Sequence, residues 1–80
     1  MKSGRYTQTE NDALRAIRNA NSSVPQRTLA EDIFFGRTYR IGGNDLLLRS
    51  LNVLYGRTQA SIYSALRRID RQMTRELASV

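Results

Sequence analysis

The chain contains no cysteine and no histidine. Those two absences exclude a disulfide framework, a Cys/His zinc site, and catalysis by a thiol or an imidazole. Tryptophan is also missing, and proline and lysine occur once each, as Pro25 and Lys2. Acid is scarce, with seven Asp and Glu against thirteen Lys and Arg, a formal net charge of +6. No apolar run approaches the ~20 residues that cross a bilayer. The opening residues Met1, Lys2, Ser3, Gly4 and Arg5 are not followed by the apolar core of a signal peptide. The expectation is a soluble cytoplasmic protein without membrane or cofactor, nucleoid-associated if its source is a bacterium or phage.

What is present is arginine. Twelve of the thirteen basic residues are Arg. A planar guanidinium fork suits phosphates and guanine edges, whereas an ammonium is a point charge. A small domain with a pI near 10.8 therefore points to an acidic partner, nucleic acid before others. Eighty residues allow one domain, 1–80, with a core only marginally large enough to hold it.

The stretch 47–73 organises the chain. An apolar segment carrying Leu47, Leu48, Leu51, Leu54 and Tyr55 leads to Gly56, and a two-faced helix follows. Ile62, Ala65, Leu66, Ile69 and Met73 fall at the spacing that a helix gathers into one stripe. Ser64, Arg67, Arg68, Arg71 and Arg75 take the other side. Gly56 supplies a left-handed helix stop and Thr58 an N-cap. Helix, glycine turn and basic helix together predict a helix-turn-helix over 44–79, with helix 57–71 entering a DNA groove.

In chain order, residues 1–6 read as a flexible basic arm. Thr7-Gln8-Thr9-Glu10 has the form of a capping box, so a first helix starts there and runs to about Asn19. Ala13, Leu14, Ile17 and Ala20 would be its buried stripe, with Arg15 and Arg18 facing solvent. Pro25 opens a second helix, or Thr28-Leu29-Ala30-Glu31 opens it a few residues later. Leu29, Ile33 and Phe34, with Phe35 beside them, are its expected core contacts, Glu31 and Asp32 favourable charges near its start, and Gly36 its stop. Residues 37–43 read as an exposed loop or a short wing, in which Arg37, Tyr39 and Arg40 suit backbone phosphates. Asn44 or Asp45 caps a third helix, and the fourth continues beyond Arg71 through Leu77, to pack on its own domain or to pair with a second copy. The strings Phe35-Gly36-Arg37-Thr38 and Tyr55-Gly56-Arg57-Thr58 echo each other as shared stop-and-cap chemistry. The fold class is thus all-α, a small four-helix domain.

Two stretches resemble a Myb/SANT-like DNA-binding domain. Arg5-Tyr6-Thr7-Gln8-Thr9-Glu10-Asn11-Asp12-Ala13-Leu14 is similar to that family's opening, and Gly56-Arg57-Thr58-Gln59-Ala60-Ser61-Ile62-Tyr63-Ser64-Ala65-Leu66 to the start of its DNA-reading helix. The resemblance implies that Arg57, Thr58, Gln59, Ser61, Ser64, Arg67 and Arg68 lie near DNA. The chain departs from the family in lacking its core tryptophans and in the length of 19–55. A looser similarity to bacterial and phage helix-turn-helix proteins rests on Leu51, Gly56, Ile62 and Ala65.

The first functional reading is a non-enzymatic regulator of transcription or replication bound to double-stranded DNA. Arg37, Arg40, Arg57 and Arg71 would hold phosphates, and Gln59, Ser61, Ser64, Arg67 or Arg68 would reach base edges. Against it stands a solvated helix face in which Asp70 and Glu76 neutralise the arginine row. The alternatives are a small phage-type modulator gripping an acidic surface of a host enzyme, and an RNA-binding module with Tyr39 and Tyr63 as stacking surfaces. Catalysis has no support, because Glu10, Asp12, Glu31, Asp32 and Asp45 form no recognisable acid–base pair.

Overall fold

The computed structural model describes residues 4–36 and 52–79. Among them lie three α-helices and no strand: α1 (Gln8–Ala20), α2 (Gln26–Phe34) and α3 (Gln59–Ala78). The all-α class agrees with the sequence. The helix expected from 44 to 55, and with it the first half of the helix-turn-helix, falls mostly outside the described residues, as does the segment 37–43. Its last residues are visible: 52 and 53 are helical, and a turn through 54–56 follows. Gly56 takes φ +94° there, the left-handed conformation that a side chain would strain.

The capping box at the start of α1 is formed in both directions. Thr7 Oγ1 accepts the Glu10 amide at 3.1 Å, and Glu10 Oε1 accepts the Thr7 amide at 2.9 Å. At the other end Asn21 closes the helix with its side chain, whose Nδ2 donates to the Ile17 carbonyl at 2.9 Å. Pro25 is the N-cap of α2, so the helix starts at Gln26 and not at the alternative box from Thr28. This start leaves Glu31 and Asp32 in the second half of α2 rather than beside its N-terminus. Asp32 is buried and Glu31 half-buried. Gly36, at φ +65°, ends the helix as the sequence predicts.

The core collects Leu14 and Ile17 of α1, Leu29 and Ile33 of α2, Leu54 of the turn, and Ile62, Leu66 and Ile69 of α3, with Ala13, Ala30 and Ala65 between them. Both α1 and α2 pack on α3, α2 along the longer contact. Three expectations fail here. Ala20 is exposed; Phe34 and Phe35 are 46% and 58% exposed, and Tyr55 is 86% exposed. The reason for Phe34 is angular: Leu29, Ala30 and Ile33 take the inward face of α2, and the next residue is turned about 100° away. The two phenylalanine rings meet each other edge to face, 5.0 Å between centroids.

Candidate nucleic-acid interface

The N-terminus of α3 is built around a buried ion pair that the sequence reading assigns to other work. Arg57 is only 5% exposed and Glu10 2%. Arg57 Nε and Nη2 each donate to a Glu10 carboxylate oxygen at 2.7 Å. Nη1 reaches the Gly4 carbonyl at 2.8 Å and Nη2 the Arg5 carbonyl at 2.9 Å. The guanidinium also lies 4.0 Å from the centroid of the Tyr6 ring. Hydrogen bonding to Glu10 holds the Arg57 pKa above its ordinary value against the opposing effect of burial, with smaller support from the charges of Glu10 and Tyr6. Arg57 is therefore corrected from a phosphate anchor to an internal clamp. Residues Gly4 to Tyr6, expected as part of a flexible arm, are fastened by it.

The same corner accounts for several other predicted DNA contacts. Thr58 Oγ1 accepts the Ser61 amide at 3.1 Å, so Thr58 is the N-cap of α3, as expected, and its oxygen is turned to the backbone. Ser61 Oγ shares a 2.8 Å hydrogen bond with the Tyr6 hydroxyl. Arg68 Nη2 donates to Asn11 Oδ1 at 2.8 Å, and its guanidinium lies over the Tyr6 ring at 5.6 Å. Ser61 and Arg68 thus face α1 and the N-terminal segment. Gln59 is half-buried beside Arg27, Thr28 and Tyr63. Arg37 and Arg40 lie outside the described residues.

Of the ten predicted contacts, Ser64, Arg67 and Arg71 are exposed. With Ala60, Thr74 and Arg75 they form one solvent-facing stripe along α3, opposite Ile62, Ala65, Leu66 and Ile69. From Ser64 to Arg75 the stripe is about 16 Å long at 1.5 Å per residue. The neutralisation of this row by neighbouring acids on the same helix does not occur. Asp70 pairs with Arg18 of α1, Nε to Oδ1 at 2.9 Å, and also accepts Gln26 Nε2. Glu76 is paired with Arg15 of α1. Arg15 and Arg18, expected to face solvent, thereby hold the two acids of α3. Hydrogen bonding to Arg15 keeps the Glu76 carboxyl below its ordinary 4.5, against a smaller effect of burial. Among the described residues Arg67, Arg71 and Arg75 have no carboxylate partner.

Two residues that the predicted contact set omits belong beside this stripe. Gln26 shares a concavity with Arg67, Asp70, Arg71, Thr74 and Arg75. Arg27 places its guanidinium 5.1 Å from the Tyr63 ring centroid, and Arg67 lies 5.8 Å from the same ring. Their position just after Pro25 was legible, but which face of α2 adjoins α3 is a tertiary fact. Among the described residues no helix is long and apolar enough to cross a membrane. No protein-family model, curated protein or solved structure matches the chain.

Proposed function

We infer that this protein is a non-catalytic domain that binds duplex DNA through the exposed stripe of α3, acting as a small regulator of transcription or replication. The observation that carries the reading is the pairing pattern. α1 supplies the arginines that neutralise Asp70 and Glu76, so Arg67, Arg71 and Arg75 face solvent on one side of one helix with no carboxylate partner among the described residues. A helix about 10–12 Å across fits the major groove of B-DNA, about 12 Å wide. Ala60 and Ser64, small and exposed, allow close approach at the N-terminal half of the helix, where recognition helices contact base edges. In this reading Ser64 reaches bases, while Arg67, Arg71, Arg75 and Arg27 hold phosphates. The likeness to helix-turn-helix and Myb/SANT-like domains is consistent with α3 in the recognition role.

Single-stranded RNA is disfavoured at Tyr63, one of the two rings expected to stack on bases; the other, Tyr39, lies outside the described residues. Stacking on bases needs a bare ring face, whereas Tyr63 carries Arg27 and Arg67 over its ring and Tyr6 carries Arg57 and Arg68.

The test is fluorescence anisotropy with a mixed-sequence duplex across a salt series. Four exposed arginines that neutralise two to four phosphates, according to how many share one, give a log–log slope of roughly −2 to −4. Arg67→Ala/Arg71→Ala reduces its magnitude by about 1 to 2. No binding at low salt, or an unchanged slope in the double variant, overturns the assignment.

A further inference from the structure

The concavity lined by Gln26, Arg67, Asp70, Arg71, Thr74 and Arg75, about 520 Å³, joins α2 to the C-terminal half of α3. Three guanidinium groups, a hydroxyl and a carboxamide border it. Phosphate oxygens accept hydrogen bonds from all three kinds of group, and a guanidinium fork can meet two of them at once. The one acidic member, Asp70, would repel an anion if its charge were bare. Its two oxygens are instead bound by Arg18, which lies behind it on α1, and by Gln26. Arg18 is itself held in place by donating to the carbonyls of Asn21 and Val24. The notch is therefore cationic because a fourth arginine, outside its lining, neutralises the carboxylate in its wall.

We propose that this notch is a phosphate-binding site, with Arg67, Arg71 and Arg75 as the charged ligands, Thr74 and Gln26 as neutral hydrogen-bonding groups, and the Arg18–Asp70 pair as its floor. The ligand is a phosphate oxyanion. That it belongs to the backbone of duplex DNA rests on the reading above; the notch itself does not. Bound there, one backbone phosphate would fix how far along the groove α3 sits, because Gln26 and Thr74 lie on different helices and restrict the approach. Thr74 and Gln26 then become determinants of register, a role that the exposed stripe alone does not require.

The experiment uses the full chain and two probes. The first is inorganic phosphate, followed through the arginine Nε–Hε signals in two-dimensional nitrogen–proton spectra. Saturable shifts of Arg67, Arg71 and Arg75 that chloride at equal ionic strength does not reproduce are expected; unsaturable shifts equal to those in chloride overturn the site. Asp70→Asn is expected to tighten phosphate about two- to fivefold, the scale of one screened surface charge. Asp12→Asn, the same charge change at an exposed position of α1 bonded to Gln8, leaves it unchanged. Equal gains from both variants would reduce the effect to net charge and overturn the site.

The second probe is a short mixed-sequence duplex. Arg71→Gln/Arg75→Gln lowers the magnitude of the salt slope by about 1, the one phosphate that the notch holds, and Thr74→Ala weakens binding without changing the slope. If the wild-type chain binds duplex and these variants bind as it does, the notch assignment fails and the DNA reading survives. If phosphate saturates the notch while duplex is not bound even at low salt, the notch stands and the DNA reading falls.

Discussion

Replacing Arg57 with Met tests the central claim about the N-terminus of α3. The side chain is similar in length, so little cavity forms, but the buried Glu10 carboxylate loses both of its guanidinium hydrogen bonds. Removing one partner of a buried ion pair costs about 3–5 kcal/mol, because the remaining charge stays in a buried site without its guanidinium. A domain of this size has a total stability of about 4–12 kcal/mol, so the variant approaches or crosses the unfolding threshold. With a urea dependence of about 1 kcal/mol/M, the midpoint falls by about 3 M or more. Far-UV circular dichroism follows the loss of helix, with a stabilising osmolyte added equally to all samples to keep every transition in range. The double variant Glu10→Gln/Arg57→Met removes the buried carboxylate charge while a Gln oxygen can still accept the Thr7 amide. It is expected to recover at least about 1 kcal/mol over the single variant. The same double variant keeps the salt slope of duplex binding, since the Arg57 guanidinium does not reach solvent. A single-variant cost under about 1 kcal/mol, as for a surface pair, would refute the reasoning. So would strict additivity in the cycle.

Three further outcomes follow from burial and capping. Leu66→Ala, at a position with no exposed surface, loses about 2–5 kcal/mol in urea unfolding. Leu77→Ala on the same helix, 78% exposed, stays within about 0.5 kcal/mol of the parent. Thr58→Ala removes the acceptor for the Ser61 amide and costs about 0.5–2 kcal/mol, with the salt slope of duplex binding unchanged. Glu76 has a lowered folded-state pKa, so its pairing with Arg15 adds stability above the ordinary carboxylate range and loses it as pH falls through the lowered value. Glu76→Gln should therefore lower the midpoint slightly at neutral pH and flatten the acid limb of the stability profile; an unaltered acid limb would remove the pair from the account.

The sequence by itself determined the local features whose chemistry is complete within a few residues. The capping box at Thr7 and Glu10, the cap at Thr58, the glycine stops at Gly36 and Gly56, and the buried stripe of α3 all depend on backbone geometry and on the 3.6-residue period, and all were legible. The tertiary structure decided which like-looking side chains do unlike things. Arg57 and Arg67 are both basic residues in a predicted recognition segment, yet Glu10, 47 positions away, buries the first, while the second remains in solvent. Asp70 and Glu76 sit among the α3 arginines in sequence, but α1 delivers Arg18 and Arg15 to them. Charge pairing of this kind depends on distances of a few ångströms between elements distant in the chain, and periodicity carries no information about them. The free face of α3, and with it the proposed site, exists because those long-range pairs were made elsewhere.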